Sequence, residues 1–452
     1  MKTYFLSKTT LLSILFSELL IISLALIFIS TISLFAQNQS REVGKDNLTS
    51  PKNLITTGIT GSNTSYGLDS PQYILSFIPV QEIVLKAAQG PLSEEFVKEK
   101  LADIEPTLDN LLNLKILRQK NDQLYLNYLL LTKNDQEKIY EVAKTYAYDL
   151  ANKIYAEKKF FKDLMTHSGI EEELADETLF VLVAGILLNW EGLKIATNLG
   201  YRPERTEYPN GDKYILHSAE LGIENFSSGL YSGSHSTTTN LDWIFSTFGD
   251  ANSIPRLKGI PDLYETIYEN GFNSFKKDND VLVAITTHYV TYINEVEVKD
   301  AGMLMASLAQ KPKTESSLKS DIGIPQVRFD ATLNLLSAFN YISIENGIYK
   351  NTIPVFTPKQ KGLVDASLQR GEQILQKWLS DNYPQISQDL NTLTPMKNGL
   401  PFSLVFNEVW HYLFGFTSKI LAEKNFYVNP RNPDYSFEGY VPLLWSSSIY
   451  DF

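Results

Sequence analysis

Cysteine is absent from all 452 residues. That absence removes a disulfide framework, a thiol nucleophile, a thiolate zinc site, an iron–sulfur cluster and a lipid anchor through a lipobox cysteine. Histidine is scarce at five, which leaves little for metal binding or acid–base chemistry. Positive charge is short too: 40 Lys and Arg stand against 52 Asp and Glu, a net charge of −12. A chain coated in positive charge for nucleic acid is excluded, although a local basic patch is not. What is abundant is apolar. Hydrophobic residues make up 43%, aromatics 12% and charged residues 20%, the balance of a folded chain long enough for two or three domains.

The one long apolar run is at the start. Residues 9–36, preceded by Lys2 and Lys8, read as a secretory signal peptide ending at Ala36, before Gln37-Asn38-Gln39. Glu18 inside the run and Leu34 three residues before the cut depart from the pattern. The competing reading is an uncleaved anchor, since Leu19–Ala36 nears the ~20 residues that span a bilayer. The lysines precede the run, so either reading puts the body of the chain outside. Removing residues 1–36 takes Lys2, Lys8 and Glu18 and leaves −13. Export without cysteine suits a bacterial envelope better than a eukaryotic secretory path, and sequons at Asn38, Asn47, Asn63 and Asn225 arise by chance in an asparagine-rich chain. Residues 37–70 are polar, rich in Gly, Ser, Thr and Asn, and read as a flexible linker.

A repeat organises the remainder. At a constant shift of 225, Leu108 falls on Leu333, Leu111 on Leu336, Leu114 on Phe339, Leu117 on Ile342, Leu131 on Phe356 and Thr132 on Thr357. The same shift sets Lys194-Ile195 on Lys419-Ile420 and Tyr201 on Phe426; upstream, Ala88-Gln89 meets Ala309-Gln310 at 221. Each copy reads as three short helices, a strand pair around a turn (Lys120-Asn121-Asp122 and Glu345-Asn346-Gly347), then a long amphipathic helix. Those helices are expected over 134–165, capped by Asn134 or Asp135, and over 358–382. An aromatic-rich helix follows in each copy, and residues 281–298 read as a strand bridging into the second.

Three helices, a two-stranded wing and a helix after Leu131-Thr132 or Phe356-Thr357 resemble the winged helix-turn-helix superfamily. The residues carrying the resemblance are Leu108–Leu117 with the wing to Thr132, and Leu333–Ile342 with the wing to Thr357. It covers about 70 residues per copy and carries no subfamily signature. The superfamily's usual ligand is DNA, but the third helices offer Glu105, Asp109 and Lys115 in one copy, and Arg328 with Asp330 in the other. Groove reading and phosphate contact need more cation than that. The resemblance therefore implies a protein-contact or structural module.

Chemical motifs are thin. Ser316-Ser317-Leu318-Lys319 has the spacing of a lysine-activated serine and Ser380-Asp381-Asn382 the matching second element, but no Lys-Thr-Gly completes the set. Residues 227–239 gather hydroxyls around His235 and precede Asp242; they form a polar loop that could bind a ligand through Ser232, Ser234, His235, Asp242 and Trp243, without the Gly-x-Ser-x-Gly of a hydrolase. His217 and Glu220 could supply two metal ligands where three or four are needed. His411, flanked by Trp410 and Tyr412, reads as a core or interface residue, and Asp278-Asn279-Asp280 lacks the rest of a calcium loop. The five tryptophans read mostly as core, and the aromatic tail over 435–452 as a segment docking on the other copy or on a partner.

The expectation is an α+β, helix-rich chain: a signal peptide or anchor at 1–36, a linker at 37–70, a first repeat at 71–298 with its winged-helix-like part at 78–165, and a second at 299–452 with its part at 299–382. It is expected to be a non-enzymatic envelope protein with no cofactor, no metal and no nucleic-acid partner, contacting another envelope or surface protein, and touching membrane only through an uncleaved amino terminus. The alternative is an envelope enzyme with a site between the repeats.

Overall fold

Capping chemistry sets the helix starts before packing is considered. Thr107 opens a short helix by accepting from the Asn110 backbone while the Asn110 side chain returns a bond. Thr132 does the same with Asp135, and Thr357 with Gln360. Such reciprocal boxes satisfy backbone donors that a helix cannot satisfy itself.

The computed structural model describes residues 53–62, 65, 67–208, 211–221, 230–231, 233–236, 242–249, 292–338, 340–437 and 439–450. The expected signal segment, the linker up to 52, the sequons and the Asp278–Asp280 stretch lie outside them. The described part is α+β and helix-rich, as expected.

Its first half runs β1 (Ile55–Ser62), α1 (Ile78–Gln89), β2 (Leu92–Ser93), α2 (Glu94–Leu101), α3 (Leu108–Asn113), β3 (Leu117–Lys120), β4 (Gln123–Leu126), β5 (Leu129–Leu131), α4 (Lys133–Tyr155) and α5 (Lys158–Thr166). Helix α6 (Glu172–Asn198) follows, and within it Val181–Glu191 takes the wider i→i+5 winding. Strands β6 (Lys213–Glu220), β7 (Ser234–Ser236) and β8 (Trp243–Phe248) come next. The second half continues with α7 (Tyr292–Leu308), β9 (Lys313–Thr314), α8 (Glu315–Ile322), α9 (Gln326–Ala338), β10 (Ile342–Glu345), β11 (Ile348–Asn351), β12 (Val355–Phe356), α10 (Lys361–Asp389), α11 (Phe402–Glu423) and β13 (Val441–Ser446).

Four sheets result, in two matching kinds. The orders β2-β4-β3 and β9-β11-β10 are three-stranded antiparallel wings. The orders β1-β6-β5 and β8-β13-β12 each place one half's last long strand between an earlier antiparallel strand and a short parallel one. Leu131 pairs with Ala219, and Phe356, 225 residues after Leu131, pairs with Trp445, 226 after Ala219. Backbone detail recurs at a shift of 225. Lys115 and Asn340 both take positive φ, as do Asn121 and Asn346, Asp122 and Gly347, and Gly200 and Asn425. The Ile116 amide donates to Leu111 O as the Tyr341 amide does to Leu336 O.

Apolar residues fall into three cores. One lies under α1–α3 and the first wing, and one under α7–α9 and the second wing. The largest is shared, because the long helices trade places: α4 lies on α11, and α10 lies on α6. Close approach enforces this. A Cβ at Gly371 would stand 2.1 Å from Leu187, and one at Gly192 would stand 2.5 Å from Trp410. The Trp410 indole donates to Leu188 O at 3.0 Å, and the Trp378 indole to Asp149 at 2.8 Å. Helix α6 is apolar enough to cross a membrane, but it is a core helix here, its apolar window 83% buried.

Several expectations are corrected. The supposed linker supplies β1, whose eight residues pair along β6; polar Thr and Gly suit a strand that crosses another closely. The bridging strand at 281–298 is helical from Tyr292 on, with 281–291 outside the described residues. The long helix expected over 134–165 breaks at Ala156-Glu157 into α4 and α5, and Thr132 is its cap. Helix α10 continues past 382 through Pro384, held by Tyr383 stacked on Tyr201 at 3.9 Å and by buried Ile386. The aromatic tail is not corrected: of its two expected docking places, β13 takes the one on the first expected repeat, pairing with β8, with Trp445 fully buried and its indole donating to Ser246 at 2.8 Å.

Candidate functional site

Charge inside a core is costly unless paired, so buried ionisable groups are where function is sought first. One such group lies where β6 of the first half meets α11 of the second. His217 on β6 faces the Gly58 backbone of β1; a Cβ at 58 would stand 2.0 Å from Nε2, so only glycine leaves the ring its place. His217 Nδ1 lies 3.0 Å from Glu408 Oε1, too poorly aligned to form a hydrogen bond. His411, one turn along α11, sits 3.7 Å from the same oxygen and donates through Nδ1 to Asn407 O at 2.6 Å. The Asn407 amide donates to Glu408 at 2.8 Å and to Thr60 at 3.2 Å. Arg202, buried just beyond α6, donates from Nε to Asn407 Oδ1 at 2.6 Å and from Nη1 to Thr197 at 3.0 Å; its Nη2 has no hydrogen-bond partner.

Burial disfavours charge on each group. It lowers the His217 pKa, helped by His411 and opposed by Glu408. It brings Arg202 down to about 10, which leaves the guanidinium charged at neutral pH. Burial also pushes the Glu408 carboxyl up, but His217, His411, the Asn407 amide and Arg202 more than reverse that. The result is an Arg202–Asn407–Glu408 chain with both imidazoles close to the same carboxylate oxygen, Oε1. Such a set can hold a proton or an anion.

The residues read from sequence lie elsewhere. Ser234 Oγ accepts from Asn189 Nδ2 at 2.9 Å and from the Trp190 indole at 3.3 Å, so that hydroxyl satisfies α6. Ser232 lies outside the described residues, as do 222–229 and 237–241 of the polar loop. His235 pairs with Thr247 in the β7–β8 ladder, which puts it about 17 Å along the sheet from Asp242 at ~3.4 Å per residue. Ser234, His235 and Asp242 therefore do not assemble a triad. The Asp242 carbonyl accepts from the Ser447 amide at 3.0 Å, and Trp243 packs on α7, where a Cβ at Gly302 would meet its ring.

His217 and Glu220, three apart on β6, point to opposite faces, and Glu220 accepts from the Lys133 amide at 3.1 Å. Ser316 and Lys319 line a shallow dent on α8, while Ser380–Asn382 lie on α10. No group of three or more His, Cys, Asp or Glu fit to hold a metal occurs among the described residues.

Sequence reasoning named His217 and His411 but missed Arg202, Asn407 and Glu408. The signal was Asn407-Glu408 with His411 inside an apolar run, three polar residues sharing one helical face. Comparison with family models, with curated proteins and with solved structures finds no match to this chain.

Proposed function

We propose that the chain is an exported, non-enzymatic protein of a bacterial envelope that contacts another protein through duplicated winged-helix-like units. Support for duplication comes from the matching sheet orders, and from the capping boxes at Thr132 and Thr357 and the positive-φ residues, which recur at a shift of 225. On this reading the copies span 55–220 and 243–446, because β1 and β8 are counterparts. Support for export is the apolar run at 9–36 behind Lys2 and Lys8.

The observation that carries the contact function is the surface of the two helix–wing units. Helix α3 exposes Asp109 and Asn113 and no cation. On α9 the one cation, Arg328, is clamped by both oxygens of Asp300 at 2.7 and 2.5 Å. Neither helix offers phosphate a counter-charge. The second wing instead holds Ile344 at 51% and Ile348 at 36% exposed on either side of the Asn346-Gly347 turn. Branched apolar side chains on a rigid hairpin suit a protein surface.

The test is affinity capture from intact cells with residues 37–452 as bait, beside the Ile344→Asp/Ile348→Asp double variant. The proposal expects a discrete partner that the double variant loses while its thermal midpoint is unchanged. Equal capture by both baits sinks it. The second reading, an enzyme acting between the halves, is favoured by the convergence of Arg202 and His217 with Glu408 and His411. Turnover of an envelope substrate that Glu408→Gln abolishes would establish it.

A further inference from the structure

A second polar junction lies on the other side of the shared core, where α10 of the second half crosses the end of α6. A cavity of about 250 Å³ opens there, lined by Glu191, Lys194, Lys361, Asp365, Glu372 and Tyr450 over apolar Leu368 and Ile449. Glu191 is 3% exposed and accepts from Tyr450 Oη at 2.6 Å and Lys194 Nζ at 3.0 Å. Lys361 is paired with Asp365 at 3.2 Å. Three carboxylates thus face two ammonium groups. Glu372 is the carboxylate left over: no hydrogen bond or ion pair holds it among the described residues. Burial, then the Glu191 carboxylate, push its carboxyl up against the pull of Lys194.

Packing does not require this arrangement. The comparison rests on the duplication proposed above. At a shift of 225, Glu191 corresponds to Phe416, Asp365 to Tyr140, Leu368 to Ala143 and Glu372 to Ala147. There the same helix crossing is closed, with Tyr140 edge-on to Phe416 at 4.7 Å and both alanines fully buried. One crossing is filled by apolar side chains, while its counterpart is open and lined by three carboxylates and two ammonium groups.

We propose that the α6–α10 cavity is a binding site for a small organic cation, a primary ammonium on a short aliphatic chain. The ammonium meets Glu372 beside Glu191, and the chain lies on Leu368, Ile449 and the Tyr450 ring. At about 250 Å³ the pocket has room for a small molecule. The charge deficit selects a monocation, and the apolar floor selects an organic one over a bare metal ion.

Calorimetric titration of the full chain with n-butylammonium chloride, against n-butanol and sodium chloride at matched ionic strength, tests this. The expected result is saturable binding of n-butylammonium alone. Affinity should rise with pH as Glu372 ionises, and should fall at least about tenfold in Glu372→Gln, a change of about 1.4 kcal/mol. That variant keeps its thermal midpoint or gains slightly, because it removes repulsion with Glu191. Equal binding of n-butanol, displacement by sodium at equal concentration, or unchanged binding by Glu372→Gln would each overturn the proposal. The wing double variant should bind n-butylammonium normally, so failure here and failure of the partner capture are separately visible.

Discussion

Glu408 is a charged residue in the shared core whose presence packing alone does not explain. On the proposed duplication, Asn407, Glu408 and His411 correspond to Leu182, Val183 and Ile186, and His217 to Leu443; those four are buried in the shared core. An apolar solution to the same junction therefore exists within the molecule, so the polar one is not demanded by packing. Glu408→Leu should cost about 1–3 kcal/mol because it takes the acceptor from the buried Asn407 amide and part of the counter-charge from Arg202, which urea unfolding would read. His217 gives a pH dependence. Its folded pKa lies below the unfolded value of about 6.5, so the unfolded chain binds the proton first. Stability should hold above that pH and fall as pH drops through the window below it, with Glu408 adding loss in the same direction at lower pH. Thermal midpoints from pH 8 to 5 should decline for the wild type and flatten in His217→Gln. An equal decline in both would remove His217 as the cause. Gly58→Ala should destabilise by at least about 1–3 kcal/mol through overpacking against the His217 ring.

Elements were legible in sequence where the local rule was strong, and obscure where pairing decided. The helix–wing order followed from periodicity and turn residues, and Asn121-Asp122 and Asn346-Gly347 do occupy the left-handed turn positions. Strand β1 was not legible, because Ile-Thr-Thr-Gly-Ile-Thr-Gly-Ser has a linker's composition and becomes a strand only beside β6. The cap at Thr132 was placed two or three residues late, since Asn134 and Asp135 are equally good capping types and only the bond pattern separates them. Of the candidate site, the histidines could be read and their partners could not, because Arg202 and Glu408 lie 206 residues apart and meet only through the fold. A matched pair of cap substitutions tests the equivalence of the two long helices. Thr132→Ala and Thr357→Ala should each cost about 1 kcal/mol, measured as equal shifts in urea midpoint. A large cost at one site with none at the other would break the correspondence.

At the largest scale, within the described residues from 53 on, the long helices cross between the two parts of the chain, α4 on α11 and α10 on α6. Each half lends α4 or α10 to the other half's aromatic helix, so neither shared layer can melt alone. Tryptophan fluorescence, dominated by the buried Trp378, Trp410 and Trp445 of the shared core, should therefore trace the same unfolding curve as far-ultraviolet circular dichroism. The exchange also leaves Ile344 and Ile348 exposed on the second strand pair, the surface proposed above for a partner. Nature's omission of cysteine makes it directly testable, because any introduced pair is the only one. Asn152 on α4 and Lys424 at the end of α11 meet at their side chains at 2.5 Å. In the Asn152→Cys/Lys424→Cys variant, a short bis-maleimide should join the two within one chain and give a fast-migrating monomer on a denaturing gel. No cross-link, or one that forms only between chains, would contradict the exchange.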